Sequence, residues 1–264
     1  MRDLLQKIQV HVPFDLLREK LLPTVLREGI NPEIGIYHHH LDRFQAADFR
    51  DTAAQLADAG RSVTFHAPFM DLRPGALDPR VRRTSLDRLR QVFDLIPWFR
   101  PRSVVCHPSF DERYYVGMEE LWLENSLDTW RTLLDCIRGT ETIIALENVY
   151  ERNPEPLKLL LNALASPQAR FCFDPGHANA FGAVPLNLWI ETLGDFLGEI
   201  HLHDNRSTTD EHLPVGEGNI PFRELFAAVR ERNIKPILTV EAHSEEDLGR
   251  ALENLRAMQL PESS

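Results

Sequence analysis

Between Glu199 and Gly218 the chain reads EIHLHDNRSTTDEHLPVGEG, and its side chains are of the kinds that hold divalent cations. Ile200 and Leu202 alternate with His201 and His203, as in a strand, and a long polar segment follows with Asp204, Asp210 and His212. A loop of that length without secondary structure of its own is usually functional. Asp210 and His212, one residue apart, can aim a carboxylate and an imidazole at one cation, although a solvated polar loop would look the same. Residues elsewhere decide between the two. His66 closes SVTFHAP, His107 closes SVVCH, Glu147 stands near the end of TIIALEN, and Asp174 closes ARFCFD with His177 three residues on. Glu241 closes PILTVE. A lone histidine at a strand end is ordinarily structural. A carboxylate in a segment as apolar as TIIALEN needs a strong partner. Presented on successive strand ends, these residues indicate a metal site.

The elements that must position them alternate. Predicted strands cover 9–13, 32–38, 62–68, 103–107, 142–148, 169–174, 198–203 and 236–241. Between them lie helical segments at 14–28, 42–59, from Asp78-Pro79 through Ile96, 118–138, 154–165, 187–195 and 222–233, with a last helix from Ser244 to about Met258. Asp78-Pro79 reads as an N-cap and first-turn pair, Gly60 as a C-terminal stop, and Ser244 with Asp247 as a cap close to a capping box. Eight strands, each followed by a helix, predict an α/β fold, a single (β/α)8 TIM barrel over residues 1–264. In such a barrel the C-terminal strand ends converge on one mouth, where active sites are built.

Composition narrows the function. Apolar content is ordinary, and no apolar run approaches the ~20 residues of a membrane span. The N-terminus reads as the approach to a strand, not a signal peptide. Three cysteines without C-x-x-C spacing suit reduced thiols in a cytoplasmic protein. A net charge of −11 argues against a broad nucleic-acid footprint, and part of it would be offset by bound cations. No sequence feature marks an oligomeric state.

The motif series resembles the xylose isomerase-like barrel superfamily, which joins sugar isomerases and epimerases to the family 2 apurinic/apyrimidinic endonucleases. The resemblance runs from the third strand onward. It implies one divalent cation on Glu147, Asp174, His201 and Glu241. The endonuclease IV pattern implies more: His66 and His107 with bridging Glu147 for a first zinc, the former four for a second, and His177, Asp210 and His212 for a third. Each position has its matching residue here.

Two chemistries follow from that resemblance. The fuller ligand set favours a multinuclear zinc hydrolase of phosphoesters, acting on a small phosphorylated metabolite more readily than on DNA, because basic, aromatic-bearing wedge loops are missing. The alternative is a sugar or sugar-phosphate isomerase or epimerase with one Mn2+, Mg2+ or Co2+. There Glu147 and Glu241 form the acid/base pair and His177 and Arg206 touch substrate. His11 is placed at the mouth from the first strand, and Tyr114 and Tyr115 are expected to line a pocket. Arg73, Arg80, Arg82 and Arg83 read as a solvated helix face more than a phosphate site. His38, His39 and His40 read as a solvated turn. His203 and Asp204 are expected to orient ligands from behind, Cys106 and Cys172 to be packed, and Trp122, Trp130 and Trp189 to fill the layer between barrel and helices.

Overall fold

Apolar and polar residues alternate along each strand, and in a closed sheet that alternation sorts them into an outer layer and an interior. The computed structural model describes residues 2–263. Its strands are β1 (Gln9–Pro13), β2 (Asn31–Gly35), β3 (Thr64–His66), β4 (Ser103–Cys106), β5 (Ile143–Glu147), β6 (Ala169–Phe173), β7 (Leu197–Leu202) and β8 (Ile237–Val240). All pair in parallel in chain order, and β1 returns to β8 to close the barrel. This is the single (β/α)8 TIM barrel expected from the sequence. Among the described residues no helix is long and apolar enough to cross a membrane.

Phe65, Cys106, Leu146, Phe173, Leu202 and Val240 face outward into one continuous apolar layer under the helices. Trp122, Trp130 and Trp189 are buried in that layer, as their helical positions predict. The interior holds a separate small apolar group, Val105, Ala145 and Cys172. Beneath it is a polar layer in which Ser103 and Thr239 hydroxyls donate to buried Glu199. Burial and the nearby Glu33 push the Glu199 carboxyl up to about 7. Above the apolar group, His66, Glu147, His201 and, just past the strand ends, His107, Asp174 and Glu241 share the interior face.

Three local expectations are corrected. The first helix is not uniform, because a wide π turn at Leu17–Leu21 precedes Leu22–Glu28. Pro23 has no N–H to give the carbonyl of Glu19, so the regular ladder cannot continue there. The segment predicted as one helix over 42–59 is two, His38–Arg43 and Ala46–Asp58. Extended Phe44 separates them and packs edge-on against Phe14, ring centroids 5.1 Å apart. His38, His39 and His40 are therefore the first turn of a helix; His38 and His39 are solvated as expected, and His40 is not. His40 is fully buried, accepting the Tyr37 N–H on Nδ1 at 3.0 Å and placing Nε2 3.1 Å from Asp15. With Nδ1 accepting, the ring proton of neutral His40 sits on Nε2, so that nitrogen offers no lone pair to a metal.

Candidate metal centre

The loop after β7 is folded back on itself. Asp204 and Leu213 exchange backbone hydrogen bonds, both 2.8 Å, which returns Asp210 and His212 to the barrel mouth. The buried Asp204 carboxylate accepts from the backbone N–H groups of Asn205, Gly216 and Ile220. It thus orients Asp210 and His212 from behind, through the loop backbone and not by contact with their side chains. A Cβ at Gly218 would lie 2.2 Å from Asp204 Oδ1 and 2.3 Å from the Asn205 carbonyl, so this turn closes only on glycine. On β6, Asp174 caps the helix Pro175–Phe181 by accepting the His177 N–H at 2.7 Å. That cap fixes both side chains at once. Gly176 makes room for His203, whose Cε1 would be 2.1 Å from an added Cβ.

All nine residues singled out as ligands meet in one cluster, five histidines linked through four carboxylates. Glu147 Oε2 is 3.2 Å from His66 Nε2 and 2.8 Å from His107 Nε2, while its Oε1 is 3.3 Å from His177 Nδ1 and 3.2 Å from His201 Nδ1. Glu241 lies 3.3 Å from His201 Nδ1 and 3.6 Å from His212 Nδ1. Asp174 Oδ2 is 3.5 Å from His177 and 3.9 Å from His201. Asp210 Oδ2 is 3.3 Å from His177 Nε2 and 3.0 Å from His212 Nε2.

The electrostatics follow from that crowding. Burial opposes ionisation of Glu147, but His201 and His107 outweigh it and hold the carboxyl well below the usual carboxylate range. Glu241 and Asp174 are lowered against burial in the same way, chiefly by His201 and by His177 respectively. His177 and His201 are raised well above the usual histidine range against burial, His177 chiefly by Asp174 and His201 by Cys172 and then Glu147, Glu241 and Glu33. His66 and His107 share one oxygen of Glu147. Burial works against the charged form of both, and the Glu147 carboxylate outweighs it at His66 but not at His107, so His66 is raised and His107 lowered from the usual histidine range.

These residues fit divalent cations on two further observations. The His66 Nδ1 proton points at the Ala67 carbonyl and the His177 Nδ1 proton at the Asn148 carbonyl, each at 2.9 Å. Both Nε2 lone pairs are then left facing the cluster, the arrangement by which backbone carbonyls set the tautomer of metal-bound histidines. Several buried atoms there also have no aligned hydrogen-bond partner among the described residues: His107 Nε2, both nitrogens of His201, His203 Nδ1, His212 Nδ1 and Asp210 Oδ1. Unpartnered polar atoms are costly in a buried site, and bound cations would take up the lone pairs among them.

Some of the predicted substrate contacts are not brought to the site. Arg206 is exposed, its guanidinium paired with Glu211 at 2.7 Å. Tyr114 is 68% exposed outside the cavity, under the Arg73 guanidinium, while Tyr115 is buried beside Phe110 and Trp122. Of the four arginines after His66, Arg73 lines the cavity, and Arg80 and Arg83 are exposed on the helix face. His11 does line the cavity, with Nδ1 2.9 Å from Glu33 and Nε2 3.2 Å from Tyr37 Oη.

His203 stands behind the cluster as the sequence suggested: Nε2 is 2.9 Å from Asp174 Oδ2, and its ring stacks on His212 at 3.9 Å. The alternation HLH pointed both histidines inward, so this was readable. Glu33 is fully buried on β2, 3.5 Å from His201 Nε2, and can hold the proton that leaves His201 Nδ1 free. Two residues before the end of β2, in NPEIG, it carried only its inward parity as a signal. Beside the site, buried Glu151 accepts the Val149 and Phe110 N–H groups, and burial still pushes its carboxyl up to about 7.

The raised Glu151 makes a pH prediction. Protonated Glu151 favours the folded chain; that contribution is complete below pH 4.5 and is lost as pH rises to about 7, roughly 3 kcal/mol in all. Glu151→Gln should therefore flatten the decline in unfolding free energy between pH 5 and 7.5, measured by urea titration. Equal slopes for variant and parent would refute the assignment.

A cavity of about 1270 Å3 opens above the cluster, with His66, His107, Glu147, His177, Asp210, His212 and Glu241 on its floor. Known proteins share the architecture. An uncharacterised protein of Methanocaldococcus jannaschii is 27% identical over 74% of this chain and 69% of its own length. The crystal structure of a D-tagatose 3-epimerase-like protein superposes with a TM-score of 0.78 at 24% identity, covering 95% of this chain and 96% of the other. A D-allulose 3-epimerase from Methylomonas sp., solved with D-allulose, gives 0.74 at 16% identity over 96% and 98%. A family model described as xylose isomerase-like TIM barrel matches residues 32–258, and the chain belongs to that family.

Proposed function

We propose that the protein is a divalent-metal-dependent epimerase or isomerase of a sugar or a related polyhydroxy ketone. The observation that carries this reading is the convergence of Glu147 and Glu241 on His201 Nδ1, at 3.2 and 3.3 Å, with both glutamates on the cavity floor and buried Asp174 3.9 Å from the same nitrogen. Structural neighbours bearing sugar-epimerase names support it. A Mn2+, Mg2+, Co2+ or Zn2+ ion held by Glu147, Asp174, His201 and Glu241 would polarise a substrate carbonyl and the adjacent hydroxyl. Both glutamates are ionised near neutrality, so one would take the proton from the carbon beside the carbonyl and the other, after gaining a proton from solvent, would return one to the opposite face. Glu241, with 11% of its side chain exposed at the cavity, is the more accessible base, and Glu147 is buried. Asp174 and His203 hold each other, and Glu33 steadies His201.

The same cluster favours a second reading at one point. His66 and His107 on one oxygen of Glu147, and His177 with Asp210 and His212, exceed what one cation needs. That surplus fits the zinc-dependent phosphoester hydrolase expected from the ligand set. Metal content separates the two. The epimerase reading expects about one tightly bound cation per chain, unchanged in Asp210→Ala, with ketose turnover restored by Mn2+ or Co2+ after chelation. Two or three zinc ions, one of them lost in Asp210→Ala together with phosphodiesterase activity, would replace it with the hydrolase.

A further inference from the structure

We infer, building on the epimerase reading, that the substrate is amphiphilic: a polyhydroxylated head carrying an apolar, preferably aromatic, substituent. The cavity changes character with depth. Its floor is the carboxylate and imidazole cluster, but its walls are Phe69, Met70 and Leu72 after β3, Tyr150 after β5, Phe181 after β6, and Leu16 after β1. Aromatic rings run unbroken from floor to rim. Phe69 stacks on His107 with centroids 4.5 Å apart, Phe181 on His177 at 6.1 Å, and Tyr150 packs on Phe181 at 5.5 Å. The chain leaves the outermost of these exposed, Met70 at 64% and Tyr150 at 47%, although large apolar side chains are costly to keep in water without a partner.

Size points the same way. Sites that bury a drug-sized ligand occupy roughly 300–1,000 Å3. At about 1270 Å3, part of it a cleft lined by Leu21, Val25, Ile30 and Leu248, this cavity is larger than a free monosaccharide fills, and the added space is walled by apolar side chains. A phosphate group in place of the apolar substituent fits poorly. Lys20 and Arg73 are the cationic side chains of the wall, and the Arg73 guanidinium already lies over Tyr114, 4.9 Å from its ring centroid. Flat rings at the rim suit the face of an aryl group or the apolar face of a second ring.

Calorimetry on the Mn2+-loaded protein tests this, with a free ketohexose and its 6-O-benzyl ether, which keeps the ketone, as probes. The benzyl ether should bind at least 10-fold more tightly. The double variant Met70→Ser, Tyr150→Ser should shrink that preference below 3-fold and leave ketohexose affinity unchanged. Both residues are exposed, so the fold is retained, and circular dichroism checks it. Equal affinity for the two probes, binding by neither, or a preference that survives the double variant overturns the inference. Preferential binding without epimerisation of either probe would remove the epimerase reading and leave the amphiphilic ligand standing.

Discussion

Glu241→Gln is expected to lower kcat for ketose epimerisation by roughly 10²–10⁴-fold, the usual contribution of one positioned acid or base. The substitution keeps the shape of the side chain and one oxygen in place while removing its ability to accept a proton. Metal content should therefore stay near the parent value. The corresponding change at Glu147 should cost activity as heavily and metal as well, because Glu147 touches His66, His107, His177 and His201, whereas Glu241 has an exposed edge at the cavity. The direct readout is exchange of substrate carbon-bound hydrogen with D2O, followed by NMR in the metal-loaded protein. A two-base mechanism predicts that each variant loses exchange at one face of the carbon first. If Glu241→Gln exchanges hydrogen within 3-fold of the parent, Glu241 is a ligand only and the acid/base assignment falls.

Strand parity made much of this site legible in the sequence. A residue at the inward register of a barrel strand has one place to go, so SVVCH, TIIALEN and PILTVE sent His107, Glu147 and Glu241 to a common mouth before any coordinates were known. Parity also separated Cys106, outside, from Cys172, inside, and both are buried. It failed for loops, where no period fixes direction. Arg206 and Tyr114 carry plausible chemistry, yet neighbouring Glu211 and Arg73 draw them outward. It was also under-used at β2, where Glu33 has the same inward register as His66 but sits too early in its strand to suggest the mouth. Barrel strands are staggered, so an early residue on one strand stands level with a late residue on another. The apolar wall of the cavity was invisible for a different reason: its residues come from separate loops and share no spacing.

The loop that carries Asp210 and His212 depends on a single buried carboxylate, and removing it should be the most damaging change outside the cluster. Asp204 accepts hydrogen bonds from Asn205, Gly216 and Ile220 at 2.9, 2.9 and 3.1 Å. Bonds to a charged group contribute about 1.5–3 kcal/mol each, and N–H groups left buried without a partner add to the loss. Since the three bonds share one acceptor, their sum overstates the effect, and Asp204→Ala should destabilise the protein by about 3–5 kcal/mol. In a chain of this size that lowers Tm by roughly 10 °C. The consequence for the site is selective. The antiparallel exchange between Asp204 and Leu213 loses its anchor, so Asp210 and His212 leave the mouth, whereas Glu147, Asp174, His201 and Glu241 stand on or beside strands and stay. Any cation bound through Asp210 and His212 should be released while one bound through the other four is kept, and Asp204→Asn, with one acceptor oxygen retained, should fall between. Thermal melting with elemental analysis of the same samples measures both. An Asp204→Ala protein that melts within 2 °C of the parent with its metal content unchanged would show that the loop is held by something other than this carboxylate.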